Sequence, residues 1–211
     1  MISFNTFRYI FPPRPQNAVP LTELTFWDNG MMIAQPKMNG SNVVIFMNGK
    51  DVHVYNRHNQ RMTNFQLDKE ELLKLYSGEG WMVLNGEYLN KSKSDENGQV
   101  FNHKLILFDI LVYNGSYLLG TSFQDRVNLL DSLYGKIDSE KKYLFSINEN
   151  VYRVKSYITN FKQIFDELIT IDVIEGFVMK RKSAKLEIGN TELNNTKSQI
   201  KFRKPSKNYK F

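Results

Sequence analysis

In the stretch AQPKMNGSNVVIF, residues 34–46, a single lysine, Lys37, separates two strand-like runs, and Asn39-Gly40 bends the chain just after it. Two readings are open: a surface hairpin with an ordinary lysine, or a nucleophilic amine held at a bend between two β-strands over a pocket. Charged residues recur in other runs that are apolar enough to be buried on one face. VLNGEYL carries Glu87 one residue past Gly86, LFDIL carries Asp109, and VIEGFVMK carries Glu175 immediately before Gly176. In QIKFRK, Lys201 and Arg203 fall on one face, because side chains two apart along a strand point the same way. Singly, a strand carboxylate ordinarily faces solvent and an alternating basic strand is a sheet surface. Together, with glycine beside both glutamates, they predict a ligand in close approach to the backbone.

One amine, two or three carboxylates and two cations suit attack on a phosphorus atom. Metal ions held by carboxylate oxygens would neutralise a triphosphate. The cationic strand would stabilise charge on the transferring phosphoryl oxygens. A free lysine titrates at about 10.4 and is almost all ammonium at neutral pH. Positive charge from Lys201, Arg203 and a metal would favour its free amine. The arrangement works only if these distant strands line one cleft.

What must position them can be bounded. The chain has 211 residues, which suits a single domain over 1–211 with a sizeable core. At 41% hydrophobic and rich in Tyr and Phe, it is globular and not disordered. No apolar run approaches the roughly 18 residues of a membrane span, and MISFNTFRYIFPPRPQ lacks a signal peptide's layout, so no membrane association is expected. With no cysteine there are no disulfides and no thiolate metal site, which fits an intracellular protein. A net charge of +6 favours a polyanionic partner such as nucleic acid.

Strand-like runs occur at 31–37, 42–48, 52–57, 81–89, 105–114, 151–158, 176–182 and 199–204. Residues 48–51 and 113–116 read as hairpin turns, where Asn-Gly supplies positive φ angles. The spacing predicts helices at 68–77, 122–134 and 159–169. The second carries a Ser122/Asp125 capping pattern and stops at Gly135; the third is capped by Thr159 and buries Phe161, Ile164, Phe165 and Leu168. The prolines of FPPRP favour extended backbone. Residues 90–99 and 183–199 read as polar loops, the first exposed and the second mobile. The expected fold class is α+β, with largely antiparallel sheets flanked by helices.

The residues match, in order across about 34–204, the motifs of a known family. The sequence resembles the covalent nucleotidyltransferases: ATP-dependent DNA ligases, RNA ligases and mRNA-capping guanylyltransferases. KMNGSN resembles the nucleophile motif, with Lys37 as the residue that takes up the nucleotide. VYNRHN is similar to the element in which an arginine, here Arg57, contacts the nucleotide. LNGEYL is similar to the motif whose glutamate, Glu87, faces the ribose and metal-bound groups. LFDIL resembles the element whose aromatic, Phe108, stacks on the purine. IEGFVMK is close to the Glu-Gly-x-x-x-Lys pattern, which implicates Glu175 in metal binding and Lys180 beside it. QIKFRK occupies the final motif, which implies that Lys201 and Arg203 contact the α-phosphate. Gln35 stands where the family contacts the base edge, and Asn42 is carried over as a further nucleotide contact.

The resemblance implies an adenylation domain that uses ATP and Mg2+ or Mn2+, forms a lysyl-AMP, passes AMP to a 5′-phosphate and seals a 3′-OH/5′-phosphate break in RNA or DNA. Three departures qualify it. Many relatives have arginine where Asn42 stands, and NGSN is closer to the RNA-ligase style. Arg203 replaces a lysine, keeping charge but adding a fork. The sequence ends soon after the last motif, without the OB-fold domain usual in DNA ligases and capping enzymes. Alternatives are a ligase strict for nicked duplex DNA, a guanylyltransferase, or a weakly catalytic binding module needing a separate accessory domain or protein. His53, His58 and His103 show no metal-ligand spacing; Trp27 and Trp81 read as packing residues; Tyr9 and PPRP are assigned no direct role. Asp109 either binds metal or only hydrogen-bonds backbone. Lys204, Lys207 and Lys210 either contact a phosphate backbone or form a solvated tail.

Overall fold

The computed structural model describes residues 7–189, 191 and 193–205. The strands pair into two sheets. Sheet A has the order β1 (Arg14–Ala18), β11 (Asn195–Arg203), β10 (Ile174–Arg181), β2 (Met32–Met38). Sheet B has the order β4 (Val52–Asn56), β3 (Ser41–Met47), β5 (Met82–Leu89), β6 (Lys104–Tyr113), β9 (Val151–Val154), β8 (Leu144–Ser146), with β7 (Ser116–Tyr117) folded back on β6. Three α-helices, α1 (Lys69–Leu73), α2 (Phe123–Tyr134) and α3 (Phe161–Leu168), and a 3-10 turn at Leu21–Glu23 complete the described elements. The α+β class is therefore as expected. Two pairings are parallel, β1 with β11 and β6 with β9. Turn chemistry could not reveal them, because it speaks only of strands adjacent in sequence.

Local signals mostly hold. Ser122 Oγ accepts from the Asp125 N–H at 3.2 Å, and α2 ends at Gly135 with φ of 68°. The Asn48 and Asn114 turns close β3–β4 and β6–β7, with positive φ at Gly49 and Gly115. Helix α1 is shorter than expected: Leu75 and Tyr76 bond back only three residues, to Leu72 and Leu73, tightening the last turn. Thr159 does not cap α3. Asn160 occupies that position in the left-handed region, and the Phe161 N–H is taken at 3.2 Å by Asp28, which no local pattern could show. The 151–158 run is strand only to Val154.

Neither predicted loop is simply exposed. Asp95 is buried and accepts from Lys141 Nζ at 2.6 Å, pinning the 90–99 segment to the chain before β8. Within 183–199, Leu186 is buried and bridges Leu119, and β11 begins at Asn195.

The largest core cluster joins both sheets. Ala34, Met38, Phe177, Met179, Ile200 and Phe202 from sheet A pack with Leu89, Ile106 and Val154 from sheet B, under Phe161, Phe165 and Leu168 of α3. A second cluster backs sheet B with Leu72 of α1 and Leu130 of α2. Trp81 lies in a third with Phe7, Phe46 and Leu111. Each fully buried side chain of this size contributes about 1.5–3 kcal/mol of transfer free energy.

Candidate active site

The faces of the two sheets not committed to the core enclose a cleft of about 470 Å³. In sheet A the residues on the cleft face fall in in-register rows. Lys37, Gly176 and Arg203 form one row; Gln35, Val178 and Lys201 the next; Ile33, Lys180 and Gln199 the third. The alternate residues Ala34, Phe177, Met179, Ile200 and Phe202 point into the core, which fixes the polar set on the cleft side. The chain leaves sheet A at Met38 and joins sheet B at Ser41. Lys37 therefore stands at the seam between the sheets. It is not on a surface hairpin.

Two residues reach the cleft only because a strand carries one residue too many. Between Ile174 and Gly176 the β10–β2 register slips by one, so Glu175 is extra and lies outside the alternation. Its carboxylate pairs with Lys37 Nζ. Between Asn85 and Gly86 the β5–β6 register slips in the same way, leaving Phe108 extra, and both Phe108 and Asp109 line the cleft. The glycines beside the glutamates do not admit a ligand, contrary to expectation. A Cβ on Gly86 would lie 2.7 Å from the Ile106 carbonyl oxygen, and one on Gly176 1.9 Å from that of Phe202. They let neighbouring strands approach. Gly176, with φ of 142°, also supplies the backbone of the bulge.

Glu87 faces the cleft in register with Asn42, and its Oε1 accepts from the Gly40 N–H at 3.1 Å. Burial pushes its carboxyl up to about 7; Lys37 and the Gly40 N–H oppose this and Glu175 reinforces it. Lys201 lies on the same face as Arg203 but is not part of the cleft wall. Burial, then the charges of Arg203, Lys37 and Arg14, hold its ammonium below the ordinary lysine range. Asn42 is turned to the sheet, donating to the Gly86 carbonyl at 3.2 Å and accepting from Asn85. Arg57 is exposed at the rim and donates to His58 at 3.3 Å.

Phe108 on sheet B and Gln35 on sheet A both line the cleft. Gln35 Nε2 donates to the Phe108 carbonyl at 3.4 Å and to Ser156 Oγ at 3.1 Å. Those acceptors fix the amide's orientation, which leaves Oε1 as a buried acceptor with no partner. Lys180 is buried, its Nζ 4.8 Å from the Phe108 ring centroid and 4.4 Å from that of Phe123. Burial pulls its ammonium down to about 8 against the attraction of Asp109. Asp109 is held by Arg126 through two bonds, Nε to Oδ1 at 2.8 Å and a terminal nitrogen to Oδ2 at 3.1 Å, and accepts from the Ile110 N–H at 2.9 Å. Arg126 gave no sequence signal, since it reads as one more polar residue of an amphipathic helix.

The cleft thus gathers Gln35, Lys37, Asn42, Arg57, Glu87, Phe108, Glu175, Lys180 and Arg203 in one wall, with Lys201 adjoining. Pro12, Pro13, Arg14 and Pro15 belong to it too. PPRP therefore lines the cleft, while Tyr9 bonds the Asn56 carbonyl. Lys204 Nζ donates to the Ile171 carbonyl at 3.0 Å; Lys207 and Lys210 lie outside the described residues. A metal ion would find Glu87 and Glu175 as its donors. Among the described residues no group of three or more His, Cys, Asp or Glu gathers. Two carboxylates with water and phosphate oxygens fit Mg2+ or Mn2+. Among the described residues no helix is long and apolar enough to cross a membrane.

The fold recurs in solved ligases. The ligase domain of LigD from M. tuberculosis superposes with a TM-score of 0.65 at 18% identity, over 92% of this chain and 60% of that one. A mycobacterial DNA ligase D complexed with ATP and MES gives 0.64 at 17%, over 96% and 62%. Chlorella virus DNA ligase-adenylate gives 0.50 at 14%, over 92% and 67%. The chain thus spans 60% and 62% of the length of the first two. No curated protein sequence matches it. The sequence model for the ATP dependent DNA ligase domain matches residues 16–198, and the chain belongs to that family.

Proposed function

We propose that this chain is an ATP-dependent polynucleotide ligase that works through a lysyl-AMP on Lys37. One observation carries the reading: Lys37, Glu87, Glu175, Phe108 and Arg203, from five separate strands, meet in one cleft with the amine at the seam between sheets. The Lys37 Nζ attacks the α-phosphorus, and Glu175, already bonded to Nζ, is placed to take its proton. Arg203 and Lys201, one row apart on β11, stabilise charge on the phosphoryl oxygens. Glu87 and Glu175 would hold a divalent cation, which would neutralise phosphate charge. Phe108 stacks on the base, and Lys180 supports that ring from within the fold. Arg57 and Asn42 bound the sugar end.

The vacant acceptor on Gln35 suits the exocyclic amine of adenine, in keeping with the ATP dependence of the family. Membership of the family supports nicked DNA as substrate. RNA is the second reading, carried by Asn42, which stands where many relatives have arginine and is tied to Asn85 and Gly86.

The test is incubation with α-phosphate-radiolabelled ATP or GTP and magnesium, followed by denaturing electrophoresis. Label is expected from ATP, and Lys37→Ala should abolish it. Label on Lys37→Ala equal to the parent would refute the site, and label from GTP alone would favour capping. All-DNA, all-RNA and hybrid nicks then separate the two substrates.

A further inference from the structure

The segment from Phe7 to Ala18 is fastened to both sheets. At its start Phe7 packs on Phe46 of β3 and on Trp81, just before β5. At its end β1 runs parallel to β11 in sheet A. Between these points the Phe11 N–H donates to the Gly189 carbonyl at 3.4 Å, and Asn194 Nδ2 donates to the Phe11 carbonyl at 2.8 Å. The chain already crosses between the sheets after Lys37, so this segment is a second tie.

One bond of the segment reaches a turn that carries a site residue. The Tyr9 hydroxyl donates to the Asn56 carbonyl at 2.8 Å, and the next residue is Arg57. The tyrosine ring is half-buried, edge-on to Phe7 and Phe11 at centroid distances of 6.3 and 4.9 Å. Burial pushes its phenol above the ordinary tyrosine range, so the hydroxyl keeps its proton and remains a donor. The turn itself is shaped from within. Asn56 Oδ1 accepts from the His58 N–H at 2.9 Å and the Gln60 N–H at 3.0 Å. The Asn56 carbonyl accepts from the Asn59 N–H at 3.0 Å, and Asn59 has φ of 60°. Tyr9 comes from outside the turn and takes the second lone pair of that carbonyl. Arg57 is exposed and lines the cleft, so where it stands depends on where the turn stands.

We propose that Tyr9 is a positioning residue, which acts on the nucleotide through Arg57 by fastening the turn that carries this arginine to the Phe7–Ala18 segment. This rests on the ligase reading, with Arg57 meeting the nucleotide. It extends the site to a residue outside the cleft wall. The role concerns binding, and no bond to phosphorus is made or broken by it.

The experiment compares the full 211-residue parent, Tyr9→Phe, Arg57→Ala and the double variant. Single-turnover labelling of the lysine is followed across ATP concentrations at fixed magnesium, giving each protein a half-saturating ATP concentration and a maximal rate. Tyr9→Phe deletes one hydroxyl and keeps the ring. It should raise the half-saturating concentration roughly 2- to 10-fold, the range of one neutral hydrogen bond, and leave the maximal rate within about 2-fold. On the Arg57→Ala background the same substitution should change half-saturation by less than about 1.5-fold, because the residue it acts through is gone. A purely structural tyrosine would lower the melting temperature without this dependence on Arg57. An equal rise in both backgrounds, no rise in either, or a loss confined to the maximal rate would overturn the proposal. Should Arg57→Ala itself leave half-saturation unchanged, Arg57 loses its role and Tyr9 with it, while labelling of the parent still upholds the ligase reading. Failure of the parent to label would sink both.

Discussion

Three carboxylates, Glu87, Asp109 and Glu175, line the cleft, and burial governs the charge of Glu87. Its carboxyl is raised from 4.5 to about 7, chiefly by burial. The folded protein therefore holds this proton more tightly than the unfolded chain does. The resulting stability is complete below pH 4.5 and is lost as pH rises through about 7. Glu87→Gln abolishes the ionisation and keeps an oxygen for the Gly40 N–H. In metal-free buffer, the melting temperature of Glu87→Gln minus that of the parent should climb between about pH 5 and pH 8. A flat difference across that interval would contradict the burial argument. Lys37, Glu87 and Glu175 were legible in the sequence because charge inside an apolar run is conspicuous. The place of PPRP in the cleft wall was not, since its prolines announce only extended backbone until β11 is seen beside them.

At the scale of elements, α2 and β6 are joined by charge as well as by packing. Asp109 and Arg126 are each 3% exposed at the side chain, and Lys180 shares the same anion. Breaking a buried pair by removing one partner costs about 3–5 kcal/mol, but the two removals are not equivalent. Arg126→Met leaves Asp109 with Lys180. Asp109→Leu leaves two buried cations together. Urea unfolding should therefore rank Asp109→Leu as the more damaging, and the reverse ranking would show that Lys180 does not share the charge. Helix α2 itself was readable from its cap, its stripe and its terminal glycine. The role of Arg126 was not, because it depends on the register slip that presents Asp109 to the helix. That slip is a property of β5 and β6 jointly.

The two tryptophans report on the whole molecule. Trp27 packs against the cluster shared by both sheets and α3, and Trp81 lies in the cluster with Phe7 and Phe46. Because the first cluster draws side chains from sheet A and sheet B alike, neither sheet can lose its core alone. In each single-tryptophan protein, Trp27→Phe and Trp81→Phe, fluorescence and far-ultraviolet circular dichroism should give superposable urea transitions. Separate midpoints would mean that the sheets unfold independently. The α+β class could be read from strand and helix patterning. The division into two sheets, and the crossing from one to the other after Lys37, could not, because no local pattern records which strands become neighbours.

The surplus residue in β10 makes the length of that strand a functional quantity. Deleting Glu175 would return an even ladder beside Lys37, a gain for backbone pairing, and would strip the amine of its carboxylate at the same stroke. Selection for robustness and selection for turnover pull against each other there, so a thermally hardened descendant lacking that kink should be sturdy and inert.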